Sequence, residues 1–304
     1  MPGSEGTEQW PALADRIAGF IAETTHGLGR GGALIGLSGG LDSTTTAALS
    51  VRGLGADRVL GLIMPDRESD PAHTRAARGA GDWLGIRTET VDITAQLEAL
   101  GAYDFPLSRL PGRRLRAAAV RLAHGLLRAW PGVRPFIDSL TGSEGTILAG
   151  ASASFRAKHR VRMVTAAYRA ERAKLLLVGA ANRTEKLTGV FCKFGIDHCA
   201  DIMPIGPLYR SEVLRLAEAL GVPEDIRTSP PDPGIVPGVR DKYRFFLGVP
   251  ADAIDRPLRA LADGADPAEA ARRCGLSLQQ VTRLREAMEA SWHARNPSLE
   301  PELP

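Results

Sequence analysis

The stretch Ala33-Leu34-Ile35-Gly36-Leu37-Ser38-Gly39-Gly40-Leu41-Asp42-Ser43-Thr44 decides the fold, because an apolar run of strand length stops at two glycines and a helical pattern begins at once behind them. Gly39 and Gly40 let the main chain bend and approach an anion closely. The free N–H groups and the dipole of the helix that starts near Asp42 attract that anion. The hydroxyls of Ser38, Ser43 and Thr44 add donors. A strand, turn and helix of this composition form a nucleotide phosphate site. Neither Gly-x-x-x-x-Gly-Lys-Ser/Thr nor Gly-x-Gly-x-x-Gly is present, so the loop is neither the usual terminal-phosphate cradle nor a dinucleotide fingerprint.

Outward from this loop, strands and helices alternate. The apolar positions Trp10, Leu13, Ile17, Phe20 and Ile21 repeat near 3.6 and predict a helix over 9–27. Strands are predicted at 34–37, at 59–64 (ended by Pro65), at 87–93 and at 174–178, with a weaker fifth at 201–205. Helical patterns occupy 42–51, 74–84, 155–171 and 211–220. Strands separated by helices predict an α/β fold, a doubly wound, mostly parallel five-stranded sheet with helices on both faces. Ligands on such sheets sit at the carboxyl ends of the strands, where Ser38 lies.

Two regions break the rhythm. Residues 103–147 carry four prolines and a basic helix, Arg114 to Trp130, and read as an insertion too long for an ordinary connection. Ser229-Pro230-Pro231-Asp232-Pro233-Gly234-Ile235-Val236-Pro237-Gly238 excludes helix and strand and predicts a rigid loop suited to a ligand wall, or else a linker. A C-terminal helical subregion spans about 250–292. Within it, residues 266–288 resemble a helix-turn-helix superficially, but the second helix offers only Arg283 and Arg285 as basic candidates, which argues for packed helices. One domain over 1–304 accommodates all of this.

At 304 residues, 44% hydrophobic and 24% charged, the chain can build a substantial core. No stretch approaches the roughly 20 apolar residues of a membrane span, and the first residues lack a basic-then-apolar leader, so a cytoplasmic location is expected. Cys192, Cys199 and Cys274 are too few for a disulfide framework and read as free thiols. The net charge of +3 is small, yet Arg109, Arg113, Arg114, Arg116, Arg121 and Arg128 crowd one segment. Nucleic-acid binding there is disfavoured by the scarcity of aromatic stacking residues; a solvated helix face or a cover over a polyphosphate fits better.

The loop Ser38-Gly39-Gly40-Leu41-Asp42-Ser43 resembles the pyrophosphate loop of the ATP pyrophosphatases, which cut ATP between its α and β phosphates. A second signature narrows the resemblance. Gly179-Ala180-Ala181-Asn182-Arg183-Thr184-Glu185 follows the fourth strand and leads through Phe191-Cys192-Lys193-Phe194-Gly195 to Asp201-Ile202-Met203-Pro204-Ile205 and Leu208-Tyr209-Arg210. Together with the arginine-bearing run Phe155 to Val164, these segments are similar to the ammonia-using catalytic domain of the NAD synthetase family, over about residues 10–290 apart from the insertion. That resemblance implies an adenine nucleotide alpha hydrolase-like fold and a ligase that adenylates nicotinate adenine dinucleotide with ATP. Ammonia, free or from a separate glutaminase, then gives NAD. It implies Mg2+ held by Asp42 and Glu185, with Asp232 at a metal-facing position, and catalytic roles for Asp42, Lys193 and Arg210. ATP would meet Ser38, Gly39, Gly40, Ser43, Thr44 and Met64 as well, and the acid would meet Arg162, Asn182 and Asp201. A homodimer is also implied.

The family's Thr residues are replaced by Ala180 and Cys192, and its Gly-Asp-Gly-Gly run by Gly195-Ile196-Asp197-His198-Cys199-Ala200. These departures fall in loops that touch the acceptor, so a related ligase for another carboxylate remains open. Cys192, Cys199 and His198 raise sulfur transfer or a metal cluster as a further alternative. A non-catalytic nucleotide-binding paralogue is the third.

Overall fold

The computed structural model describes residues 5–296 except 131, 143–144, 235 and 237. From the N-terminus run α1 (Glu5–Gly27), β1 (Ala33–Gly36), α2 (Leu41–Leu54), β2 (Val59–Ile63), α3 (Pro71–Leu84), β3 (Arg87–Thr90) and α4 (Thr94–Ala99). The insertion contributes α5 (Arg113–Ala129) and α6 (Pro135–Thr141). The chain then returns through α7 (Thr146–Ala173) to β4 (Leu176–Val178), α8 (Arg183–Thr188), α9 (Arg210–Ala219) and α10 (Glu224–Arg227). Five helices close it: α11 (Lys242–Leu247), α12 (Asp255–Ala262), α13 (Pro267–Cys274), α14 (Leu278–Ala290) and α15 (Trp292–Arg295).

The sheet is parallel throughout, in the order β3-β2-β1-β4. Ala33 pairs with Val59 and with Leu176, which aligns the carboxyl ends of the central strands. Among the described residues four strands form, not the five expected. The predicted strand at 201–205 shrinks to a single parallel bridge between Val178 and Ile202. Its cause is local: Pro204 has no N–H to offer a ladder, and the chain turns there, Gly206 N donating to Met203 O at 3.0 Å.

The period of two along β1 sorts the core into layers. Ala33 and Ile35 face a cluster with Ile21, Leu49, Val213 and Leu216, from α1, α2 and α9. Leu34 faces the opposite side with Leu62, Ile93, Leu97 and Ala166, where α4 and α7 pack. Each such fully buried Leu, Ile or Val side chain is worth about 1.5–3 kcal/mol. A third cluster, built on Ile137, Tyr243, Leu247, Leu258 and Leu284, joins α6 to the C-terminal helices. The helix-turn-helix resemblance resolves into such packing: Ala270, Ala271 and Val281 bury the contact between α13 and α14, and Arg283 is turned toward the carbonyl of Leu247. No helix among the described residues is long and apolar enough to cross a membrane.

Candidate active site

At the carboxyl edge of the sheet the chain after β1 enters the glycine turn. Gly39 has φ +77, and a Cβ there would lie 2.5 Å from Ala77 N and 2.6 Å from the Ala76 carbonyl carbon. Only glycine lets the loop lie this close to α3. The turn is held from inside, since Ser43 Oγ accepts from Ser38 N at 3.2 Å and lies 2.8 Å from Ser38 Oγ. Gly40 caps α2 with no side-chain hydrogen bond, so the first N–H groups of α2 keep their capacity for an anion.

Above the loop opens a cleft of about 1290 Å³. Of the residues expected at the site, Ser38, Gly39, Gly40, Asp42, Ser43, Met64, Arg162, Glu185, Arg210 and Asp232 line it. Thr44, Asn182, Lys193 and Asp201 do not. Thr44 is fully buried, one helical step past Ser43 and rotated into the protein. Asn182 stands just behind the wall, its Nδ2 donating to Asp42 Oδ1 at 3.0 Å. The amino group of Lys193 donates to His293 O at 2.9 Å and Asn296 O at 3.1 Å, against the C-terminal helix. Asp201 is exposed and its Oδ2 accepts from Leu177 N at 2.8 Å, a tie onto β4.

The two signatures of the sequence meet at Asp42. Asn182 caps α8, accepting from Glu185 N at 3.0 Å while Glu185 Oε2 accepts from Asn182 N at 3.1 Å. This reciprocal box aims Glu185 at the cleft beside Asp42, whose Oδ2 lies 3.7 Å from Arg210 Nη1. Asp255 sets both flanks, taking the Thr184 hydroxyl at 2.6 Å and Ser211 N at 2.7 Å. Arg210 N in turn donates to Thr184 Oγ1 at 3.0 Å.

Lys242 is the residue here that no motif announced. It opens α11, pairs with Glu185 Oε1 and is buried. Its sequence signal is faint, a lone Lys after Asp241, and only the fold brings it to a carboxylate 57 positions away. Burial pushes the Glu185 carboxyl above its ordinary range; Lys242 opposes this, and the nearby Asp42 reinforces it. Asp197, which also lines the cleft, is raised by burial against the N–H of Ala180 at 2.6 Å. The cleft thus holds two carboxylates, Glu185 and Asp197, whose charge is poorly solvated, with Asp42 close by, an environment that favours a cation.

A second charged group lies at the end of β2. Arg162 Nε donates to Met64 O at 3.0 Å and Nη2 to Asp66 Oδ2 at 3.0 Å. Lys158 Nζ donates to Glu68 Oε2 at 2.6 Å. Burial raises the Asp66 carboxyl, but Lys158 and Arg162 outweigh it and hold the group below its usual range. Arg67 is turned away onto the Tyr103 ring at 3.7 Å and Glu98 at 3.1 Å.

Asp232 does not join Asp42 and Glu185. Its Oδ1 accepts from Gly234 N at 2.7 Å, and its Oδ2 lies 3.5 Å from His73 Nε2 on α3. Among the described residues, no three His, Cys, Asp or Glu side chains form a metal cage, which also removes the Cys192, His198 and Cys199 cluster. Burial raises both thiols, which keeps them protonated and weakly nucleophilic. Residues 235 and 237 of the proline-rich loop lie outside the described residues; Pro230, Pro231, Asp232 and Pro233 form part of the cleft wall, as a rigid loop there requires.

The parallel sheet with its Ser-Gly-Gly turn, helix N-terminus and converging Asp42, Glu185 and Arg210 defines a nucleotide-phosphate-binding α/β protein. The family model for NAD synthase matches residues 13–108 and 147–298. The NH(3)-dependent NAD(+) synthetase of Coprothermobacter proteolyticus is 38% identical over 263 residues, 82% of this chain and 84% of the relative. That of Methanosarcina mazei is 32% identical over 290 residues, 95% and 97% of the two chains. A solved NMN synthetase from Francisella tularensis shares the fold with TM-score 0.69 at 23% identity, covering 96% of this chain and 98% of that one. The chain belongs to the NAD synthase family.

Proposed function

We propose that the protein is an ATP-dependent amide ligase that converts nicotinate adenine dinucleotide and ammonia to NAD, with AMP and pyrophosphate as the other products. The observation that carries it is the meeting of the Ser38–Ser43 loop with Asp42, Glu185 and Arg210 in one cleft of a chain from this family. The substrate carboxylate attacks the α-phosphorus of ATP, the α–β bridging bond breaks and pyrophosphate leaves. Ammonia then attacks the acyl carbon, loses a proton and expels AMP. Negative charge grows on the leaving pyrophosphate, beside the N-terminus of α2 and Arg210, both of which would stabilise it.

Asp42 and Glu185 would hold Mg2+, and their crowding in a poorly solvating pocket supports that fit. Two protein carboxylates with the remaining ligands from phosphates and water suit this ion. When bound it would neutralise phosphate oxygens and polarise the α-phosphorus. Asp232 reaches this pair only by leaving His73, and Lys193 would reach phosphate only by leaving the carbonyls of His293 and Asn296. The acid would be met by Arg162 and, through the family resemblance, by Asn182 and Asp201. We take the working form to be a cytoplasmic homodimer supplied with free ammonia or by a separate glutaminase, and light scattering at working concentration tests the dimer.

The assay is purified protein with Mg2+, ATP and ammonium, with and without nicotinate adenine dinucleotide. NAD and pyrophosphate in equal amounts are expected only when the dinucleotide is present. Pyrophosphate formed with another acid instead, or tight ATP binding with no turnover, would refute the assignment. Asp42→Ala is expected to abolish pyrophosphate release.

A further inference from the structure

The family model stops at residue 108 and resumes at 147, yet the segment between supplies a wall of the cleft through Arg116, Val120, Ala123, His124 and Leu127 of α5. Both ends of that helix are anchored to the halves of the site. At its start Arg113 pairs with Asp70, the residue that caps α3 by accepting from Ala72 N at 2.9 Å, and α3 is the helix against which Gly39 lies. About three turns further on His124 stacks on Phe245 of α11 at 3.9 Å, and α11 carries Lys242. Burial lowers the His124 imidazole to about 4, so it stacks as a neutral ring.

Arg116 lies three residues after Arg113, on the same helix face. Its side chain is 14% exposed, and among the described residues its buried Nε has no hydrogen-bond partner. Its guanidinium comes no nearer to Glu68 Oε1 than 3.9 Å, outside hydrogen-bond range, and that oxygen is buried without a partner too. Glu68 is already engaged by Lys158, and Asp66 by Arg162. Among the described residues the group sets three cations, Lys158, Arg162 and Arg116, beside two carboxylates, Asp66 and Glu68, at the border of the cleft. A buried guanidinium Nε without a hydrogen bond is costly to keep, and the planar donors of the group match phosphate.

We propose that Arg116 is a phosphate-binding residue that the insertion helix α5 adds to this cleft, for a phosphate group of ATP or of the dinucleotide acceptor. This rests on the ligase reading for the identity of the two ligands. The test is equilibrium titration of ATP, inorganic pyrophosphate and nicotinate adenine dinucleotide against the wild type, Arg116→Gln, Arg116→Lys and Arg114→Gln; Arg114 is an exposed arginine of the same helix. Arg116→Gln is expected to weaken at least one ligand by about tenfold or more, the scale of a lost charge-assisted hydrogen bond. Arg116→Lys should recover part of the loss, and Arg114→Gln should stay within about twofold of the wild type. Loss confined to ATP and pyrophosphate assigns the site to ATP, and loss confined to the dinucleotide assigns it to the acceptor. Binding of all three within twofold in Arg116→Gln, no recovery in Arg116→Lys, or an equal loss in Arg114→Gln overturns the proposal. Turnover of the wild type is measured separately, so a protein that makes no NAD yet loses ATP binding with Arg116 refutes the ligase reading and leaves this site standing.

Discussion

Replacing Glu185 by Gln tests the centre of the cleft most directly. The amide oxygen of Gln can still accept from Asn182 N, so the cap of α8 is kept, but the charge facing Lys242 is gone. The two side chains are 13% and 11% exposed, and stranding one partner of a pair this buried costs about 3–5 kcal/mol. Asp197 also attracts Lys242, which argues for the lower figure, about 3 kcal/mol, or a fall in Tm on the order of 6 °C for a chain of this size. Glu185 is raised by burial in spite of Lys242, so the ion pair itself adds little net stability. The double variant Glu185→Gln/Lys242→Met should therefore regain most of the lost Tm, while neither variant regains pyrophosphate formation, reduced at least a hundredfold. Thermal denaturation and a pyrophosphate-release assay on the four proteins of the cycle decide it. A single variant that loses less than about 1 kcal/mol, or a double variant no more stable than the single one, would refute the reasoning.

Three other outcomes are expected. Gly39→Ala meets both a left-handed φ and the backbone of α3, so it should cost at least about 1 kcal/mol and abolish ATP binding, read by calorimetric titration. The His73 imidazole is raised by its contact with Asp232, against burial, so its stabilising contribution is fully present below pH 6.5 and disappears as pH rises through the raised value. Asp70 on the same helix also raises it and Arg113 of α5 opposes; Tm of the wild type minus that of His73→Gln, followed from pH 5.5 to 8.5, should fall along this course, and a flat difference would exclude the pair. Asp255→Ala removes the acceptor shared by Thr184 and Ser211, at about 1–3 kcal/mol. It should also depress kcat because Glu185 and Arg210 lose their common brace, as steady-state kinetics beside denaturation would reveal.

What the amino-acid order made legible was local. The strand, the Ser-Gly-Gly turn and the start of α2 are adjacent in sequence, so propensity and spacing were enough to find that half of the site; Asn182 and Glu185 came through the family resemblance, carried by a motif just as local. The parallel alternation was readable for the same reason. The fifth strand failed because Pro204 ends pairing after one bridge. Thr44 lies off the cleft lining by helical phase, being one step of rotation past Ser43. Lys193 sits in a tight turn where Phe194 takes φ +62, and that geometry, invisible in a motif, points its amino group at the C-terminal helix. Asp232 was drawn to His73 by a contact between segments about 160 residues apart, and Lys242 came to Glu185 the same way.

The residues whose partners the sequence reading did not foresee share a physical origin. Lys242, Asp232 and Arg116 all belong to segments that lie over the sheet edge rather than within the alternating units, so their placement depends on packing between distant elements. The sheet edge provides the glycine turn and brings Asp42 close to Glu185. The overlying segments line the cleft with cations and apolar side chains, Lys242 coming from α11 and Arg116 from α5. His124 on Phe245 locks these two helices together at 3.9 Å, so a change in either should be felt at both ends of a bound nucleotide. Substitutions in α5 are consequently expected to alter ligand discrimination, whereas substitutions at Asp42 or Ser43 should reduce turnover with every acid alike.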